Sequence, residues 1–185
     1  MKLIIGLGNP GSEHLNNRHN VGFMALDHLS AHYLFQDWRT KLGGLFTTLS
    51  LGSEKIIFLK PQTFMNMSGN CVVKFKQFFK ISVADIFVIY DDIDLGFGEL
   101  KIKQGGGDAG HKGVRSISEH LQTKDFYRVR LGIGRPRTKE EVSHFVLSNF
   151  SKTERAMLLV LFQKLNEDFE KIIQKKTPLV IQRNF

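Results

Sequence analysis

The sequence predicts an α/β fold, a single domain over residues 1–185 with a mixed, mostly parallel twisted sheet flanked by helices. Three observations point there. Segments of strand character alternate with segments of helical periodicity, as in sheets covered by helices. Residues 86–90, Ile-Phe-Val-Ile-Tyr, form an unbroken apolar run of the kind buried on both faces of a sheet. The 185 residues, 42% hydrophobic and 24% charged, suffice for one core and leave no room for a second full domain, a disordered chain or a fibrous repeat. Phe supplies 16 of the aromatic residues, so the core is expected to be rich in rings that need no polar partner.

The elements follow in order. Residues 3–7 read as a first strand running into Gly8-Asn9-Pro10-Gly11, whose residues are turn formers. Val21, Met24, Ala25 and Leu29 recur at helical spacing and place a helix over 21–34, with His19 at its entrance. Residues 45–51 and 55–59 form a hairpin closed by Gly52-Ser53-Glu54, and Pro61 stops its second strand. Val72, Phe75, Phe78 and Phe79 mark an amphipathic helix to about residue 80, with Asn66 near its start. The strand at 86–90 delivers Asp91, Asp92 and Asp94 at its carboxyl end.

Alternation over 100–104 places Lys101 and Lys103 on one strand face, and over 126–133 it places Arg128 and Arg130 on one side. Between these strands lie a glycine-dense loop, 105–113, and a short helix over 114–121. Ser151-Lys152-Thr153-Glu154 is a capping box that opens a long terminal helix, followed by a basic tail. In open sheets ligands bind beyond the carboxyl ends of the strands, and the loops at Asn9, Asp91 and Gly105 converge there if their strands run parallel.

Lys and Arg number 26 against 18 Asp and Glu, a net charge of +8 that suits polyanionic partners, nucleic acid first. A single cysteine, Cys71, excludes an internal disulfide and cysteine-rich zinc sites, and fits a reducing cytoplasm. No apolar stretch reaches the ~18 residues of a membrane span, so no membrane association is expected.

Gly6-x-Gly8-x-x-Gly11 matches the dinucleotide fingerprint in form, but Pro10 lacks an N–H, residues 12–18 do not open a helix, and Asp27 falls inside one. Asn9 in that turn can offer a donor and an acceptor to a substrate amide. The three acids after the fourth long strand allow two readings. They resemble the aspartyl pair of magnesium phosphatases or could hold a hard cation, while Asp91 could instead orient a histidine and stabilise its imidazolium form. Of the seven histidines, His28 and His32 fit a helix pattern and His111 lies in the glycine loop. His19 stands out where a polar loop meets a helix. No nucleophile elbow is present, and Cys71 sits among helical apolar residues, which leaves activated water as the nucleophile.

Taken together, Gly8-Asn9-Pro10-Gly11, Arg18-His19-Asn20-Val21-Gly22, Pro61 to Gly69, Asp91-Asp92-Ile93-Asp94 and Gly105-Gly106-Gly107 resemble the bacterial peptidyl-tRNA hydrolase family, in its order and over essentially the whole chain. The resemblance implies hydrolysis of the ester joining a peptide to tRNA, recycling tRNA from stalled or prematurely released products in the cytoplasm, by a monomer without cofactor or metal. It implies that His19 is the general base and Asp91 its partner. Asn9, Phe64 and Asn66 would line the substrate site, with Asn9 helping to reject aminoacyl-tRNA, and Lys103 and Arg130 would grip a tRNA phosphate with Lys101 and Arg128 beside them. Two positions depart from the family's pattern. Lys112 replaces an asparagine amide with a cation that donates but cannot accept, and could pair with a tRNA phosphate. His14 stands where tyrosine is usual and could stack on nucleic acid. A catalytically inert RNA-binding protein and a metal- or nucleotide-dependent hydrolase are the rival readings.

Overall fold

A computed structural model describes residues 1–174. Its strands are β1 (Lys2–Gly6), β2 (Arg39–Lys41), β3 (Gly44–Leu51), β4 (Glu54–Pro61), β5 (Ile86–Asp92), β6 (Leu100–Gln104) and β7 (Tyr127–Gly132). Its helices are α1 (Val21–Tyr33), α2 (Ser68–Phe78), α3 (Lys112–Leu121), α4 (Val142–Leu147) and α5 (Lys152–Ile173). The seven strands form one mixed sheet in the order β2-β3-β4-β1-β5-β7-β6. Parallel pairing holds for the four central strands, β4 with β1, β1 with β5 and β5 with β7, whereas the hairpins β2-β3 and β3-β4 and the α3-linked pair β6-β7 are antiparallel. The α/β class and the mixed sheet are as expected, but the sheet is not mostly parallel: three of its six strand pairings are antiparallel, and the parallel ones are confined to its centre, because each flanking strand pairs antiparallel with its neighbour.

Every residue of β1 and β5 is buried, because helices cover both faces of the sheet. Ile4, Phe58 and Phe87 point to one core, shared with α1 and with Phe162 and Phe169 of α5. Leu3, Ile5 and Val88 point to the other, shared with Val72 and Phe75 of α2 and Val114 and Ile117 of α3. Period-2 alternation thus feeds both layers from each strand. Cys71 belongs to the second core, and burial pushes its thiol up to about 12, the opposite of what a nucleophile needs.

The glycines of the first turn serve packing. A Cβ on Gly8 would lie 2.7 Å from the Phe23 ring, and one on Gly6 would run into the backbone of Gly22 in α1. The chain then enters a short 3-10 helix, Ser12–His14, not a phosphate-binding α-helix. The dinucleotide fingerprint is therefore a close strand–helix contact.

Several elements are absent from the sequence reading: β2, three residues with no apolar side chain; α4, six residues; and the 3-10 helices, which at three residues each are too short to repeat a pattern. The basic tail beyond α5 lies outside the described residues. The glycine loop also starts elsewhere than expected. Because β6 is antiparallel to β7, Gln104 pairs with Tyr127 at the amino end of that strand. Residues 105–111 must run back along the sheet to reach the carboxyl ends.

A long-range tie fixes the segment that carries His19. Arg18 donates from Nη2 to both carboxylate oxygens of Glu154 at 2.8 and 2.9 Å, and from Nη1 to the Asn149 carbonyl and Ser148 Oγ, while its guanidinium covers the Phe145 and Phe150 rings. Glu154 is also the distal member of the capping box of α5. Burial raises the Glu154 pKa, but hydrogen bonds from Ser151 and the charge of Arg18 outweigh this and lower it. Arg18→Ala leaves this half-buried carboxylate without its cation, and urea denaturation should show a loss of about 2 kcal/mol. An unchanged midpoint would mean the tie contributes no stability.

Candidate active site

Three elements bring their ends together beyond β1 and β5. The 3-10 helix Arg18–Asn20 presents His19, the carboxyl end of strand β5 presents Asp91, and the residue that opens α3 is His111. His19 Nδ1 lies 2.9 Å from each carboxylate oxygen of Asp91, and His111 Nε2 lies 2.9 Å from Oδ1 of the same residue. The two rings are 4.8 Å apart, and the Tyr90 ring meets His111 edge-on.

The partners assign the protons. His111 is the N-cap of α3, and its Nδ1 accepts from the amides of Gly113 and Val114, so its Nε2 carries the hydrogen that Asp91 accepts. His19 likewise donates from Nδ1 to the carboxylate, which leaves its Nε2 as the basic nitrogen when the ring is neutral. Burial raises the Asp91 pKa, but electrostatic attraction to the His19 and His111 rings and their hydrogen bonds dominate and hold the carboxyl well below the usual range. Asp91 is therefore an anion fully enclosed by protein, 2% exposed, with two histidine donors.

These three residues place ligand-type atoms within 4.8 Å of one another, a spacing a cation could use. Their hydrogen bonds argue otherwise. Each histidine nitrogen facing Asp91 bears a proton, and Nδ1 of His111 already serves two amides, so a metal would have to displace both protons. The neighbouring acids are neutralised by arginines. Asp92 accepts from Arg130 and from the Asp94 amide, and Asp94 pairs with Arg135. Both acids of the phosphatase-like reading, Asp92 and Asp94, are thus engaged in ion pairs, which disfavours them as a nucleophile pair.

The histidines face a cleft of about 680 Å³, lined also by Asn9, Phe64, Asn66 and Lys112, which the sequence singled out. Asn9 is locked in place. Its Oδ1 accepts from the Met65 amide at 2.8 Å, and its backbone exchanges two hydrogen bonds with the Asn20 side chain. The acceptor expected to meet a substrate amide is thus engaged, and the NH₂ group is what Asn9 can offer. Phe64 is 64% exposed, an apolar surface at the cleft. Lys112 is the first residue of α3, directly after His111.

Three sequence-predicted residues lie outside the cleft lining. His14 hydrogen-bonds to Asn17 and approaches Glu13, so any stacking on nucleic acid would occur away from the cleft. Lys103 and Arg130 sit on the antiparallel strand pair β6-β7, where Lys101 pairs with Arg130 and Lys103 with Arg128 in register. Partial burial lowers the Lys103 pKa, and the cations of Arg130 and Arg128 lower it further, a repulsion that an anion would relieve. Arg128 departs from its expected place on an exposed basic face. It is fully buried, over the Phe126 ring, and donates to the Gly107 carbonyl.

The comparisons with known proteins meet this geometry. A sequence model of the peptidyl-tRNA hydrolase family matches residues 3–184. The chain belongs to that family. A peptidyl-tRNA hydrolase of Dinoroseobacter shibae is 50% identical over 85% of this chain and 67% of its own length. One of Listeria innocua is 41% identical over 97% of this chain and 96% of its own. The crystal structure of the peptidyl-tRNA hydrolase of Acinetobacter baumannii superposes with a TM-score of 0.90 at 33% identity, covering 96% of this chain and 91% of that one. As a peptidyl-tRNA hydrolase family member the chain is an ester hydrolase. Sequence reasoning missed His111, Asn20 and Met65 as parts of the site. His111 carried a readable signal, a polar residue between a glycine loop and a helical pattern, whereas Met65 contributes only a backbone amide that no pattern reveals.

Proposed function

We propose that this chain cleaves the ester between peptide and tRNA in peptidyl-tRNA with water as nucleophile and His19 as general base, returning tRNA from stalled or prematurely released products to the cytoplasmic pool. The observation that carries this reading is the Asp91 clamp, which presents His19 with its Nδ1 proton held and its Nε2 basic toward the cleft. Nε2 takes a proton from water as the water oxygen attacks the ester carbonyl. The imidazolium, opposite Asp91, then gives that proton to the departing ribose oxygen, so the products are a carboxylic acid and free tRNA. The NH₂ of Asn9 would hold a peptide carbonyl and favour N-blocked substrates. The amide of Asn66 would polarise the ester carbonyl or orient the water, with Phe64 packing on the substrate.

Lys103 and Arg130 would grip a phosphate of the tRNA, and Lys112 another nearer the ester. No step calls for a cofactor, and one chain builds the whole cleft, which suits a monomer. Among the described residues no helix is long and apolar enough to cross a membrane.

The test compares N-acetyl-aminoacyl-tRNA with free-amine aminoacyl-tRNA in the presence of chelator, following release of free tRNA. Cleavage of the blocked ester alone is expected. Cleavage only after metal is restored would favour a metal hydrolase, and binding without cleavage an inert RNA-binding protein.

A further inference from the structure

Arg128 is among the largest fully buried side chains of the protein, yet its Nε and Nη2 have no hydrogen-bond partner among the described residues. A hydrophobic side chain would fill this space without desolvating a charge, so packing does not account for the guanidinium. Its Nη1 donates to the carbonyl of Gly107, midway along the segment that returns from β6 to the cleft, and a side-chain hydrogen bond links it to Tyr90.

Ahead of Gly107 that segment has few other ties, while beyond it Asp108 pairs with Arg115 of α3 at an exposed site. Gly105 and Gly106 have positive φ, and Gly105 bonds back to the Phe126 carbonyl at the start of the turn. Beyond Gly107, Asp108 accepts from the Gly110 amide through its side chain and from the His111 amide through its carbonyl. His111 then meets Asp91. The side chain of Arg128 also borders Tyr90, whose phenol burial pushes up and the Arg128 charge pulls back, and the Tyr90 ring braces His111. Arg128 therefore touches the loop in front of His111 and stands beside the ring next to it.

We propose that Arg128 is a positioning residue: it fixes the glycine loop and, through it, the hydrogen bond from His111 to Asp91. The assignment rests on the esterase reading for its kinetic consequence, but its structural half can be read without substrate. A loop tied at Gly107 delivers His111 in one tautomer, so Asp91 keeps two donors and His19 keeps its orientation. Small displacements of such groups cost rate more than affinity. Being fully buried, Arg128 is not itself a phosphate ligand, which separates it from Lys103 and Arg130 on the same strand pair.

The experiment combines ring ¹⁵N spectra of His111 with steady-state kinetics in Arg128→Met and Arg128→Lys. In the wild type His111 should show a single tautomer with Nε2 protonated. Arg128→Met should stay folded, shift the His111 nitrogens toward tautomer averaging, and lower kcat by ~10- to ~100-fold, with KM and its salt dependence unchanged. Arg128→Lys retains a donor and should recover part of the rate. A folded Arg128→Met protein with an unshifted His111 and kcat within about twofold of wild type would overturn the proposal, as would a flattened salt dependence. If neither variant folds, the wild-type spectra decide. A slowly rotating guanidinium with separate Nη1 and Nη2 signals is expected, and a freely rotating one would overturn it. A wild-type protein inert toward the blocked ester would instead overturn the esterase reading, a separate result.

Discussion

Asp91→Asn is expected to lower kcat by ~10²- to ~10⁴-fold while KM changes little. The size follows from the hydrogen-bond inventory. Both rings reach Oδ1 of the carboxylate and His19 also reaches Oδ2, so an asparagine with its oxygen at the Oδ1 position turns its NH₂ group toward the His19 N–H, and the flipped amide turns it toward both rings. One histidine must then rotate or change tautomer, and if it is His19 the lone pair on Nε2 is lost. The amide also removes the negative charge that favours imidazolium in the transition state. Steady-state kinetics on the N-blocked substrate measure the effect, and a kcat within tenfold of wild type would show that the clamp does not serve the chemistry.

The same substitution has a consequence for stability. The folded-state pKa of Asp91 lies below its ordinary value of 3.8. Its contribution to stability is therefore complete above that value and disappears as pH falls from there toward the depressed folded-state pKa. At neutral pH Asp91→Asn should be less stable than wild type, and the gap should close below about pH 4. Asp91 stays ionised wherever the protein works, so an acid limb in kcat reports another group.

Lys103→Ala with Arg130→Ala is expected to weaken tRNA binding and to reduce the slope of log K against log salt by about 1 for each phosphate no longer neutralised. The two residues do not contribute alike. Lys103 is exposed, with cationic neighbours only partly balanced by Asp92, so its replacement reads out phosphate binding alone. Arg130 also neutralises Asp92, which is 5% exposed, so its loss leaves a buried carboxylate without its cation. Arg130→Ala should therefore lower the melting temperature as well, and Lys103→Ala should not. Salt titrations of both single variants separate the effects. An unchanged slope in Lys103→Ala would show that no phosphate sits on this strand pair.

The strands and long helices were legible because burial on two faces leaves an apolar signal. The run at 86–90 became the fully buried β5, and the capping box opened α5 where its residues required. His19 and Asp91 were legible for a related reason, polar residues at the ends of elements where packing does not demand them. The rest depended on direction and distance. Whether Arg128 faces water or core cannot be read from alternation, since both faces of this sheet are covered and β7 is flanked on both sides. The route of residues 105–111 depends on β6 being antiparallel, which the sequence left open. His111 joins the site only because that route ends at Asp91.

The central claim is that His19 removes the proton from water. Its most direct test is the single-turnover rate of ester cleavage by His19→Ala, with N-acetyl-aminoacyl-tRNA bound at saturating enzyme. The expected result is a loss of ~10²- to ~10⁴-fold in rate with tRNA affinity within about twofold of wild type, because His19 lies in the cleft and away from the β6-β7 strand pair proposed to grip phosphate. A near-normal rate in a folded His19→Ala protein would contradict the claim and assign the base to another group.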